Sequence, residues 1–208
     1  MTQSEKFWDK KAQSYANSAI GDEASYQRKL LETQQYFTPD MRILEIGCGT
    51  GSTAIAHAPF VAHIDAIDIS DNMLEIARAR AADANVENIQ FTHATLDEFN
   101  ADTASMDAVL ALNVIHLLPN RQQVLAEVAR VLKPGGVFVS STACLGSSVF
   151  RFIRLITPLA KRFGLMPDLL IIKESELAQE LIDAGFSIET QWHHGSKDIA
   201  VFIIASKL

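Results

Sequence analysis

Over residues 4–37 the apolar side chains recur at three- and four-residue spacing. Phe7, Trp8, Ala12 and Tyr15 share one stripe, which predicts a helix over 4–18 and a second over 22–37. Pro39-Asp40 marks a turn. Residues 42–46 are then a short apolar run holding one carboxylate, Glu45, and they lead at once into Gly47-Cys-Gly-Thr-Gly51. Residues 52–58 read as the helix that leaves the glycines. The alternation recurs downstream: strands are expected at 61–69, 89–93, 107–113 and 137–142, helices at 71–84 and 121–132, and a turn at Lys133-Pro-Gly-Gly136. Strands alternating with helices of this length imply crossover connections and a parallel sheet. The strands are nearly continuous apolar runs, as strands covered on both faces should be.

The last third has a different rhythm. Residues 147–164 predict a helix and 174–184 another, ended by Gly185. Residues 186–192 and 199–205 predict a closing antiparallel pair, with His193 and His194 in the loop between them. The expected organisation is one α/β domain over 1–208. It has a helical cap at 1–38 and a helical insert, read as a lid, at 143–173.

Composition narrows the function. The chain has 208 residues, 48% of them hydrophobic, which excludes wholesale disorder. Its 25 acidic against 18 basic residues give a net charge of −7, unlike the basic footprint of a nucleic-acid binder. Two cysteines, Cys48 and Cys144, make neither a disulfide framework nor a zinc site, and no histidine pair has metal-site spacing. No metal is expected. There is no signal-peptide pattern and no long uncharged apolar run, so the expectation is a cytoplasmic protein without a membrane span.

The glycine cluster carries the chemistry. A sharp bend that brings backbone N–H groups close to a ligand excludes a Cβ. Gly47, Gly49 and Gly51 spell G-x-G-x-G, one residue short of the dinucleotide pattern G-x-G-x-x-G, and no phosphate-loop lysine follows. Glu45, beside the loop, repels a pyrophosphate and attracts a cation. Asp68 ends the next strand about twenty residues on, where a carboxylate accepts bonds from a ribose diol. Ser70 and Asp71 already supply the cap of the following helix.

Leu44-Glu-Ile-Gly-Cys-Gly-Thr-Gly51, Ala66-Ile-Asp68-Ile-Ser70, the run 107–113 and Leu132-Lys-Pro-Gly-Gly136, in that order, resemble the class I S-adenosylmethionine-dependent methyltransferases. The helix carrying Phe7, Trp8 and Tyr15 is similar to the opening helix of their small-molecule branch. The resemblance covers roughly residues 5–142. It implies a doubly wound seven-stranded sheet, mostly parallel with the last strand antiparallel, and S-adenosyl-L-methionine as cofactor. It further implies that Gly47, Cys48 and Gly49 pass under the methionine and ribose, and that Glu45 and the Asn113 carbonyl face the ammonium. Asp68 would take the ribose hydroxyls, and Ile69 and Met73 would flank the adenine. Thr95 and Leu96 would follow the third strand where many members carry an acid for the adenine amine, and Tyr15 would close over the cofactor.

His116, three residues after Asn113, is the candidate general base, since an ordinary imidazole titrates near neutrality. A hydrogen-bonded structural histidine is the other reading of that residue. The fourth strand lacks the paired prolines and aromatic of the enzymes that methylate nucleic-acid amines. In the insert, Arg151, Arg154, Lys161 and Arg162 accompany an apolar stripe that includes Val149, Phe152 and Ile156, and Phe150 and Arg151 are the first positions to mutate. The stripe fits a core-covering helix, a lid over an apolar or lipid-like acceptor with an anionic end, or peripheral membrane contact. The expected activity is methyl transfer to an oxygen of such a small molecule. The alternatives are a nicotinamide oxidoreductase and a cofactor-binding module without catalysis.

Overall fold

The computed structural model describes residues 2–147, 170–194 and 199–208. Helices α1 (Gln3–Ala16) and α2 (Glu23–Gln34) come first. Each starts where a side-chain oxygen takes up an orphan amide. Thr2 Oγ1 accepts from the Glu5 amide, and Asp22 Oδ1 accepts from the Ser25 amide at 3.0 Å. α2 ends three residues earlier than expected, because Tyr36 and Phe37 leave the helical path to pack against the sheet core.

Seven strands form one sheet: β1 (Arg42–Ile46), β2 (His63–Asp68), β3 (Ile89–His93), β4 (Met106–Leu112), β5 (Leu132–Ala143), β6 (Phe186–His194) and β7 (Ala200–Lys207). Their order is β3-β2-β1-β4-β5-β7-β6. β7 runs antiparallel to both its neighbours, and the other pairings are parallel. The expected mostly parallel sheet with an antiparallel last strand is what the chain forms. α3 (Ser52–His57), α4 (Asp71–Asp83), α5 (Leu96–Phe99), α6 (Arg121–Val131) and α7 (Glu174–Asp183) complete the described helices.

The strand pleat sends alternate residues to opposite faces, and each face has its own core. Leu44 and Ile46 of β1, Val109 and Ala111 of β4, and Val201 and Ile203 of β7 pack with Leu125 and Leu181 from α6 and α7. Ile43, Ala108, Leu110, Phe202 and Ile204 face the other way, against Ala54 and Leu74 of α3 and α4. Strand order reverses between β1 and β4, and the carboxyl ends there open a crevice.

Three local expectations change. Lys133-Pro-Gly-Gly136 is no turn between elements: it is an irregularity inside β5, where two steps along β4 from Met106 to Ala108 match five along β5 from Leu132 to Val137. β2 begins later than predicted, because Ala58–Phe60 makes one 3-10 turn first. His193 and His194 lie in β6 and not in a loop. The helix predicted at 147–164, with Phe150, Arg151 and most of the lid, falls outside the described residues. Leu145–Ser147 is a 3-10 turn. Among the described residues no helix is long and apolar enough to cross a membrane. Cys48 and Cys144 are both buried and unpaired.

Candidate cofactor site

The bend after β1 is fixed by backbone bonds to the neighbouring strand. The amides of Gly47 and Cys48 both donate to the Ile67 carbonyl, at 2.8 and 3.0 Å, and the Gly51 amide donates to the Cys48 carbonyl at 3.0 Å. Gly47 and Gly51 must be glycine for two reasons. Both have left-handed backbones, with φ of +67° and +77°. A Cβ on Gly47 would lie 2.6 Å from Val114 Cγ2, and one on Gly51 would lie 2.9 Å from Ala77 Cβ. Gly51→Ala is therefore expected to lower stability by about 2–4 kcal/mol, combining left-handed strain with overpacking against α4. Urea unfolding checks this, and a loss below about 1 kcal/mol would contradict it.

Asp68, at the end of β2, holds the bend from below. Its Oδ2 accepts from the Gly49 amide at 2.8 Å and its Oδ1 from the Ser70 amide at 2.9 Å. Burial raises its pKa, and these backbone bonds oppose the rise. The expected division of labour holds next door: Ser70 Oγ caps α4 by accepting from the Met73 amide, so Asp68 is not needed there.

Glu45 lies on the Ile43 face of β1 and is only 3% exposed. Its Oε2 has no hydrogen-bond partner among the described residues. Burial, then the nearby Asp68 charge, pushes its pKa up to about 8. A buried carboxyl with an orphan oxygen is destabilising on its own. A cation beside it would supply what is missing.

A cavity of about 260 Å³ opens over the bend. Of the residues expected at the cofactor, Tyr15, Gly47, Gly49, Asp68, Ile69, Met73, Thr95, Leu96 and Asn113 line it. Glu45 and Cys48 do not line it. Glu45 sits behind the bend, and the Cys48 side chain turns into the α3–α4 core. Tyr15 is brought in by α1. Its Cε1 is 4.0 Å from where a Gly49 Cβ would be, and burial followed by the charges of Asp68 and Glu45 raises its hydroxyl pKa.

His116 does not line the cavity either. It sits in the 3-10 turn Ile115–Leu117 with Nδ1 buried and unpartnered, and its carbonyl accepts from the Leu170 amide at 2.7 Å. Burial pushes its pKa down to about 4, so the near-neutral imidazole expected from sequence is not the one the fold produces.

Sequence reasoning missed several lining residues. Trp8 lies on the α1 stripe already visible through Phe7 and Tyr15, and it stacks edge-on to Tyr15 at 6.3 Å. Asp97 stands two residues beyond Thr95 and supplies a carboxylate to the wall where only a hydroxyl was expected. Its visible signal was the capping box Thr95-x-x-Glu98, which starts α5 and turns Asp97 onto the cavity's rim.

Residues 43–136 match a family described as a methyltransferase domain. Over this stretch, a little under half of the chain, the sequence is similar to a methyltransferase domain. The stretch contains the strand, glycine bend, Asp68 and the cavity walls through Val124. In sequence the chain is 30% identical over 132 residues to an uncharacterized methyltransferase, YcgJ, of Bacillus subtilis, covering 64% of this chain and 52% of YcgJ. It is 40% identical over 97 residues to 27-O-demethylrifamycin SV methyltransferase of Amycolatopsis mediterranei, covering 46% of this chain and 36% of that enzyme. The chain thus spans about half, or less, of the length of these curated relatives. The fold extends the likeness. The crystal structure of YcgJ superposes with a TM-score of 0.72 at 19% identity, over 87% of this chain and 98% of YcgJ. Geranyl diphosphate methyltransferase, solved in complex with S-adenosylmethionine, superposes with a TM-score of 0.71 at 16% identity, over 88% of this chain and 85% of that one. An acid-lined, glycine-floored cavity fits a cationic nucleoside.

Proposed function

We propose that this methyltransferase domain transfers a methyl group from S-adenosylmethionine to an oxygen of a small, largely apolar acceptor. The observation that carries the donor half is the orphaned, buried Glu45 carboxyl beside Asp68. A pyrophosphate would meet two acids there, whereas a cationic amino-acid nucleoside would neutralise them. In this reading Asp68 takes the ribose hydroxyls, the Asn113 carbonyl faces the ammonium, and Glu45 acts on it from behind the bend. Ile69 and Met73 flank the adenine, and Thr95 with Asp97 serve its amine. Tyr15 closes the roof. The cofactor, once bound, supplies an electrophilic methyl group on a sulfonium, so the protein's own contribution is chiefly alignment. His116 is kept neutral and walled off, which fits a structural residue better than a proton carrier. The acceptor half leans on the apolar side chains of Leu112, Val114 and Leu117 in the same cavity wall, and on the likeness to 27-O-demethylrifamycin SV methyltransferase.

Calorimetry with S-adenosylhomocysteine and with NADH in parallel tests the donor. Micromolar binding of the first and none of the second is expected, and the reverse would establish the oxidoreductase alternative. Label transfer from methyl-labelled cofactor to a panel of hydroxy, amino and carboxylic acceptors, read by mass, then separates an enzyme from a binding module.

A further inference from the structure

The cavity's donor side is acidic. Beside Asn113, in a cluster that adjoins the cavity without lining it, the character reverses. Ser141 Oγ lies 3.4 Å from Asn113 Oδ1, 2.9 Å from His194 Nε2 and 3.5 Å from Lys29 Nζ. Four elements meet there: α2 brings Lys29, the end of β4 brings Asn113, β5 brings Ser141 and β6 brings His194. Ser141 is fully buried and Lys29 is 8% exposed.

Lys29 is the anomaly. An ammonium has three donors, and this one makes a single long hydrogen bond among the described residues. No described carboxylate pairs with it, and Asp22, at the start of its own helix, acts only as a field that partly offsets burial. A buried cation so poorly partnered is destabilising unless an anion joins it. His194 does not compete for that anion. Burial first, then Lys29, pushes its pKa to about 4, so it stays neutral. One assignment fills every position on Ser141. His194 Nε2–H and Lys29 donate to its two lone pairs, and its hydroxyl donates to Asn113 Oδ1. Two Lys29 donors remain unused.

We propose that Lys29, supported by Ser141 and His194, is the acceptor subsite, and that it takes an organic oxyanion, a carboxylate or phenolate on an apolar body. The inference rests on the methyl-transfer reading and deepens it. Asn113 stands between the two, with two carboxyls toward the bend that attracts a cationic donor and, behind it, an ammonium that no described carboxylate pairs. An acceptor that arrives ionised needs no general base. Its oxygen bonds the methyl carbon as the carbon–sulfur bond breaks, and the positive charge of the sulfonium and the negative charge of the oxygen vanish together. This accounts for a site in which both nearby histidines, His116 and His194, are held neutral.

The test uses protein saturated with S-adenosylhomocysteine, titrated calorimetrically with naphthoate, nitronaphtholate, neutral naphthamide and cationic naphthylmethylammonium. At least one anion is expected to bind about tenfold tighter than the amide, and the cation not at all, as a charge-assisted contact predicts. Whichever anion binds tighter tells carboxylate from phenolate. Lys29→Met should lower anion affinity about tenfold while Lys29→Arg keeps most of it. Both variants should bind S-adenosylhomocysteine within about twofold of the parent chain, since Lys29 is placed on the acceptor side. Anions binding no tighter than the amide, or unaffected by Lys29→Met, overturn the proposal, and the comparison among the probes stands even if a variant fails to fold. Failure of the parent chain to bind S-adenosylhomocysteine would overturn the methyl-transfer reading instead.

Discussion

Asp68→Ala should reduce S-adenosylhomocysteine affinity at least about a hundredfold. Two charge-assisted hydrogen bonds to a ribose diol are worth roughly 3–6 kcal/mol together, and the same carboxylate also anchors the bend on which the ligand lies. Removing it frees the Gly49 amide, now held at 2.8 Å, and the Ser70 amide, held at 2.9 Å. Stability should change far less. The Asp68 pKa is raised, so burial outweighs those hydrogen bonds in the empty site, and losing the charge offsets part of losing the bonds. Calorimetry and urea unfolding on the same sample separate the two effects. A variant that binds within threefold of the parent would remove Asp68 from the cofactor site.

Glu45→Gln should act with opposite signs on binding and on stability. The carboxyl's ordinary value of 4.5 rises to about 8 in the fold. Between those values the folded chain holds a proton that the unfolded chain has released. Stability of the empty protein therefore falls as pH climbs through that window, and levels off above it. Each pKa step is worth about 1.4 kcal/mol, so the fall is on the order of a few kcal/mol. Glutamine is neutral throughout, so the variant should lose this slope and melt at a higher temperature than the parent near the top of the window. The same change should weaken S-adenosylmethionine about tenfold or more, because an amide cannot counter a cation. In the parent chain a cationic ligand should draw the proton off Glu45. Binding enthalpy will then vary with the ionisation enthalpy of the buffer, and this dependence should shrink in the variant. Asp68, also raised, titrates as a neighbour and sets how much remains. Equal melting curves across pH for the two proteins would contradict the account.

Local features of the sequence made much of this fold legible. The strand runs, the glycine bend and Asp68 are contiguous signals, each set by the pleat, by left-handed backbone needs or by a fixed spacing. The positions that failed depend on distant partners. Nothing near His116 in sequence says that its carbonyl will take the distant Leu170 amide or that its ring will be desolvated, so its lowered pKa could not be read. His193-His194 looked like loop because two adjacent polar residues break an apolar run. In the fold β6 is an edge strand, and one of the pair finds Ser141 while the other finds Glu174 at 2.8 Å. Lys29 sits on a helix whose periodicity is unremarkable, and only the approach of β5 makes its ammonium exceptional. Lys133-Pro-Gly-Gly136 carried every turn signal and still stayed within a strand, because β4 continues alongside it.

The helix α1 roofs the cavity with Trp8 and Tyr15 but buries only Ala12 fully. It is held at its middle and at its C-terminal end by polar fastenings. Asp9 Oδ1 accepts from Ser70 Oγ at 2.6 Å and from the Asn72 amide at 3.3 Å, and Arg80 donates to the Ala16 carbonyl at 2.7 Å. Such bonds trade readily for water, whereas an apolar seam does not. Loosening of α1 is therefore expected to cost less than opening either core, and amide exchange should be faster in α1 than in the central strands.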